Sequence, residues 1–186
     1  EDRIDPAIVQ AQNSFALKTF QALYAQKENS NIFYAPLGPG SFLRFLVPFT
    51  KNPVQETMLK FLETGTMPVE EMTNRSAGLW LISQNKEKEE IENDSPMTVL
   101  GNAQVQFKPD FSGRASFYKI SPRSYDLAHS AMKASLDDWL RGNTGKKVYG
   151  IGRYLDTASP MVFLHGFYFK GHWSSHFETI SSGDFI

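Results

Sequence analysis

The run Pro160-Met161-Val162-Phe163-Leu164-His165-Gly166-Phe167-Tyr168-Phe169-Lys170-Gly171-His172-Trp173 constrains this chain more than any other segment. It is almost unbroken in apolar residues until Lys170-Gly171, so it predicts a strand inside a sheet that is covered on both faces. One polar side chain interrupts the apolar part. His165 must hydrogen-bond across the sheet or be displaced from it, because a buried imidazole without a partner is costly. The expected partner is a polar group on a neighbouring strand or on the helix that carries Trp139.

Upstream the periodicity is mostly helical. Asp5-Pro6 is a capped helix start, followed by Ile8, Val9, Ala16, Phe20, Leu23 and Tyr24 at helical spacing. Ile32-Phe33-Tyr34-Ala35 predicts a short strand. After Gly38-Pro39-Gly40, Ser41 is the expected start of a helix that Phe42, Leu43, Phe45, Leu46 and Val47 make apolar on nearly every side, and therefore central. Asn52-Pro53 restarts a third helix, with Val54, Met58, Phe61 and Leu62 inward. Leu79 to Ile82 is helical, and the mixed-charge run Lys86 to Glu92 is solvated and loop-like. From Leu100, alternation predicts a strand with Ala103, Val105 and Phe107 on the core face. A short helix through Phe111 and Ala115, a polar strand to Tyr125 and a helix from Ala131 to Leu140 follow. The chain reads as one α+β domain over 1–186.

Several functions find no support. A net charge of −1 gives no basic stripe for nucleic acid, and no stretch approaches the ~20 apolar residues of a membrane-spanning helix. Gly38-Pro39-Gly40-Ser41 lacks the Lys-Ser/Thr pair of a phosphate cradle. His172 and His176 have ligand-like spacing without a third ligand nearby, so no metal or other cofactor is expected. The adjacent carboxylates Glu70-Glu71 and Asp137-Asp138 point apart on a helix, and no nucleophile elbow occurs, so no catalytic set is assigned. Sequons at Asn74 and Asn93, together with a polar start, predict a secreted, extracellular glycoprotein.

Taken in order, the motifs resemble those of the N-terminal half of a serpin. Asn31-Ile32-Phe33-Tyr34-Ala35-Pro36 is similar to the family's N-I-F-x-S-P. Asn102-Ala103 is similar to its N-A-x-F. Leu136-Asp137-Asp138-Trp139-Leu140 with Thr144 resembles I-N-x-W-V-x-x-x-T. Val162 to Trp173, with Lys170, Gly171 and Trp173, resembles V-L-V-N-A-I-Y-F-K-G-x-W. The resemblance implies a serpin fold, incomplete in this chain, whose large sheet opens to accept a cleaved reactive loop and traps a serine protease as an acyl-enzyme. The loop and its scissile bond would lie beyond Ile186, so a C-terminal portion or second chain is the expected completing partner. This chain alone is not expected to inhibit.

The resemblance also implies a sheet-opening cluster of Ser and Asn side chains. Here Ala35, Gly38 and Gly40 stand at Ser positions, Asp137 at the Asn before Trp, and His165 at the strand Asn. Ala and Gly cannot supply the missing hydroxyls. A rewired contact from His165 to Asp137 is the expected compensation. An inhibitor is the first expectation. The alternative left open by these departures is a non-inhibitory member acting as carrier, chaperone or interaction scaffold.

Overall fold

Asp5 opens the first helix as its sequence predicts, its carboxylate accepting the Ala7 N–H at 2.7 Å. A computed structural model describes residues 4–26, 30–84, 91–175 and 177–178. The elements run α1 Pro6–Gln26, α2 Leu37–Leu46, α3 Val54–Phe61, α4 Val69–Ser83, β1 Ile91–Asp94, β2 Met97–Asn102, α5 Pro109–Ser116, β3 Arg123–Tyr125, α6 Met132–Asn143, β4 Met161–His165 and β5 Tyr168–Gly171.

Four expectations are corrected. The helix expected from Ser41 begins at Leu37, because Pro36 caps it and its carbonyl accepts the Gly40 N–H at 3.0 Å. Pro39 falls in the first turn, where the missing N–H would have had no intrahelical partner. The strand expected at 32–35 has no ladder among the described residues, and Phe33 is 85% exposed. In α3, Met58 packs inward and Leu62 is buried just past the end as expected, but Val54 and Phe61 are exposed and Leu59 packs against the cluster with Met58. The strand expected from Leu100 onward lies earlier. It ends at Asn102, whose carbonyl accepts the Val105 N–H at 2.8 Å in a turn that leaves Ala103 exposed.

The long apolar segment forms two strands in two sheets. β4 pairs antiparallel with β2, with Val99 opposite Phe163 and Leu100 opposite Val162, and β3 joins β2 in parallel to give the order β3-β2-β4. β5 pairs with β1. Both ribbons break at one level because Ser95-Pro96 faces Gly166-Phe167. Pro96 has no N–H to donate, while its carbonyl accepts the Gly166 N–H at 2.9 Å. Asn93 therefore lies in β1 rather than in a loop, and residues 86–90 of the charged run fall outside the described residues.

The two-sided cover expected of this strand is present. Met97, Val99, Met161 and Phe163 pack into a core with Phe42, Phe45, Trp80 and Phe111 from α2, α4 and α5 and with Tyr118 just after α5. Leu100, Val162 and Leu164 point the other way, onto Leu127 and Leu136. A third cluster of Ile8, Phe15, Val47, Leu62 and Met72 holds α1 to α4 together. The far half of α1 lacks this cover: Phe20, Leu23 and Tyr24, expected inward, are exposed. Among the described residues no helix is long and apolar enough to cross a membrane.

Candidate functional site

Strand alternation decides what His165 meets. It shares a face with Met161 and Phe163, so its ring points toward α2 and α4. There Nε2 shares a 2.9 Å hydrogen bond with Ser95 Oγ at the break between β1 and β2. The ring lies edge-on to Trp80 of α4, centroids 5.7 Å apart. A partner from the neighbouring strand region was expected, and Ser95 supplies it.

The expected contact to Asp137 is absent because α6 packs on the opposite face, against Leu164 and Leu100. Asp137 Oδ1 instead accepts the Gly152 N–H at 3.0 Å. That bond pins the chain before β4 against α6 so closely that a Cβ on Gly152 would lie 2.4 Å from the Lys133 carbonyl oxygen.

Gly38 is the cluster member brought against the imidazole. A Cβ there would sit 2.3 Å from His165 Nδ1 and 2.4 Å from Cγ, so the absent side chain and the enlarged one occupy the same space. Gly40 makes room for a different pair. Its Cβ would lie 2.5 Å from Gln12 Oε1 and 3.0 Å from Arg44 Nη1. Ala35 lines a cavity on the α1 side with Val9, Ala16, Leu79 and Gln12, the residue that Gly40 also clears. The five positions therefore separate into a Gly38–His165 contact, a Gly40 clearance over a buried arginine with Ala35 nearby, and Asp137 on the opposite face.

Burial holds the His165 imidazole well below its ordinary value of 6.5, at about 4. The neutral form is the one the fold accepts. Since the unfolded chain takes up the proton near pH 6.5 and the folded chain only near 4, stability is full above that window. It falls as the pH drops through it, by a total on the order of 3 kcal/mol. Denaturation of the protein and its His165→Asn variant from pH 7 to pH 4 is expected to show this slope in the parent and its loss in the variant. Parallel curves would contradict the assignment.

The remaining motif residues hold the frame. Asn102 Nδ2 donates to the Thr157 carbonyl at 3.0 Å and its backbone N–H to Pro160 at 2.8 Å, fixing the entry to β4. Thr144 is fully buried, donating to the Leu140 carbonyl and accepting the Val148 N–H, and so closes α6. Trp139 packs beside Leu136. Lys170 pairs with Glu92 at 2.8 Å across β5 and β1, and Gly171 is opposite Ile91. Asn31 is exposed, as is Trp173 at 76%, edge-on to Phe177. Of the sequons, Asn74 is on the exposed face of α4, whereas the Asn93 amide donates to the Ser83 carbonyl at 2.6 Å. His176 is outside the described residues, among which no metal-ligating cluster occurs.

Ser95, Trp80 and Arg44 join this region without having been singled out. Arg44 of α2 is fully buried. Its guanidinium meets Gln12 Oε1 at 2.5 Å, the Leu62 carbonyl at 3.5 Å and the Phe15 ring at 5.9 Å. No carboxylate pairs with it among the described residues, and burial lowers its pKa to about 10. Burial likewise pushes the Tyr118 phenol up to about 12, its hydroxyl donating to the Thr73 carbonyl at 3.3 Å.

Residues 10–185 match the family model described as Serpin (serine protease inhibitor). The chain is 25% identical over 179 residues to the leukocyte elastase inhibitor of Sus scrofa, covering 94% of this chain and 47% of that protein. It superposes on emu ovalbumin with a TM-score of 0.78 at 20% identity, over 92% of this chain and 48% of that one. On reactive-loop-cleaved human thyroxine-binding globulin the TM-score is 0.75 at 21% identity, over 86% and 48%. The chain thus spans about half the length of the relatives it matches.

Proposed function

The chain belongs to the serpin family, and from that premise we propose that the whole protein is an extracellular inhibitor of a serine protease. The observation that carries the reading is the outer edge of β4. Among the described residues this strand pairs only with β2, leaving a row of main-chain groups on the far side of a sheet covered on both faces. An inserted strand would complete that pairing, which is how strand addition stabilises a complex. The uncovered Phe20, Leu23, Tyr24 and Phe33 support a C-terminal portion as the remaining cover.

Incubating the full-length protein with trypsin-like, chymotrypsin-like and elastase-like proteases tests the proposal. A covalent complex that survives denaturation is expected with at least one of them. Cleavage without trapping in every case would overturn it. That outcome would favour the second reading, a non-inhibitory carrier, chaperone or scaffold. Its support is the altered cluster, in which Gly38 yields its space to His165 and no hydroxyl is available at Ala35, Gly38 or Gly40.

A further inference from the structure

The gap between α6 and the β2–β3 pair is a cavity of about 420 Å³, within the range of small-molecule sites. Its apolar wall comes from Leu100 of β2 and from Met132, Leu136 and Trp139 of α6. Lys119 and Arg123 stand at its edge, both exposed, and neither has an ion-pair partner among the described residues. No Asp or Glu lines it. The cavity therefore combines an apolar body with charge of one sign only.

Lys119 adds a second, independent observation. Its backbone lies at φ 56°, in the left-handed region, where it ends α5 with the Ile120 N–H donating to the Ala115 carbonyl at 3.0 Å. Glycine is the usual residue at such a helix end because it has no Cβ to crowd the carbonyl. A lysine there accepts strain and sets an ammonium at the mouth of an apolar pocket. Arg123 is placed by register: opposite Leu100 in the parallel β2–β3 ladder, it shares its strand face with Tyr125, which also lines the cavity.

We propose that this cavity binds a small amphiphilic carboxylate, its apolar body between α6 and β2 and its anionic group held by Arg123 and Lys119. The guanidinium suits a planar carboxylate through paired N–H donors, while the ammonium acts as a point charge. Both cations remain solvated at the edge when the site is empty, so an uncharged analogue gains only the apolar contact. This site is separate from the Gly38–His165 contact, which lies on the opposite face of the sheet, and holds for an inhibitor or a carrier alike.

Calorimetric titration of the full-length protein with 4-phenylbutyrate and with 4-phenylbutanol tests the proposal. The carboxylate is expected to bind at least tenfold more tightly than the alcohol. Arg123→Gln should weaken it about tenfold, and Ser135→Trp should abolish binding of both by filling the cavity. Lys119→Gly is the variant that cannot be excused by misfolding. It relieves a left-handed lysine and should melt at or above the parent temperature while binding the carboxylate several-fold more weakly. Equal affinity for acid and alcohol, unchanged affinity in Arg123→Gln and Lys119→Gly, or no binding of either probe would each overturn it.

Discussion

Placing a serine at Gly38 is expected to cost on the order of 2–3 kcal/mol of stability in the presence of His165, and much less once His165 is asparagine. The new Cβ would arrive 2.3 Å from a ring nitrogen and 2.4 Å from the ring carbon nearest the backbone. The imidazole is poorly placed to step aside. Its Nε2 is engaged by Ser95 and its edge meets Trp80, and Cγ is held only two bonds from the β4 backbone. In a double-mutant cycle of Gly38→Ser and His165→Asn the coupling should be about 1–3 kcal/mol, favouring the double variant. Chemical denaturation measures it. Additive costs would mean that the two positions drifted independently. The same double variant bears on function, because it places a hydroxyl and an amide at the two positions where the motif resemblance implies them.

Gln12→Leu should be the most damaging conservative change in the helical half, by about 3–5 kcal/mol. Arg44 is fully buried, and Gln12 Oε1 is its one close hydrogen-bond acceptor among the described residues, since the Leu62 carbonyl stands at 3.5 Å. Removing the amide takes from this buried charge its closest acceptor, with no carboxylate beside it among the described residues. Arg44→Met combined with Gln12→Leu should recover most of the loss, because a buried charge removed together with its partner leaves nothing unsatisfied. Denaturant midpoints of the two single variants and the double would check this. A Gln12→Leu variant as stable as its parent would show that solvent reaches the guanidinium.

The order of the helices and the two-sided burial of Met161 to Leu164 were legible in the sequence, because apolar runs and helix starts are local signals; the cover does not extend to β5, where Phe169 is exposed. The fate of His165 was only half legible. Its need for a partner follows from the residues around it, but its choice of Ser95 over Asp137 depends on strand parity, which required knowing that β4 ends at His165 and where α6 packs. The break at Gly166 was hidden for a related reason: nothing within the run marks it, and it is enforced by Pro96 on the partner ribbon. Arg44 was within reach. A cation between Leu43 and Phe45, in a helix apolar on nearly every side, announces a buried charge. The Gly38–His165 exchange of volume was not, since two residues so far apart in sequence show their fit only in the folded chain.

The break in the long ribbon also bears on how the molecule is assembled. α5, β3 and α6 all lie in sequence between β2 and β4, so this ladder, like the β1–β5 ladder that continues it, is a highly non-local pairing in the described chain. The hydrogen bonds within each helix are local, and such contacts form before loops of that length are closed. Until closure, Met161 to Leu164 is an apolar strand with two bare edges, the state in which a chain joins another copy most readily.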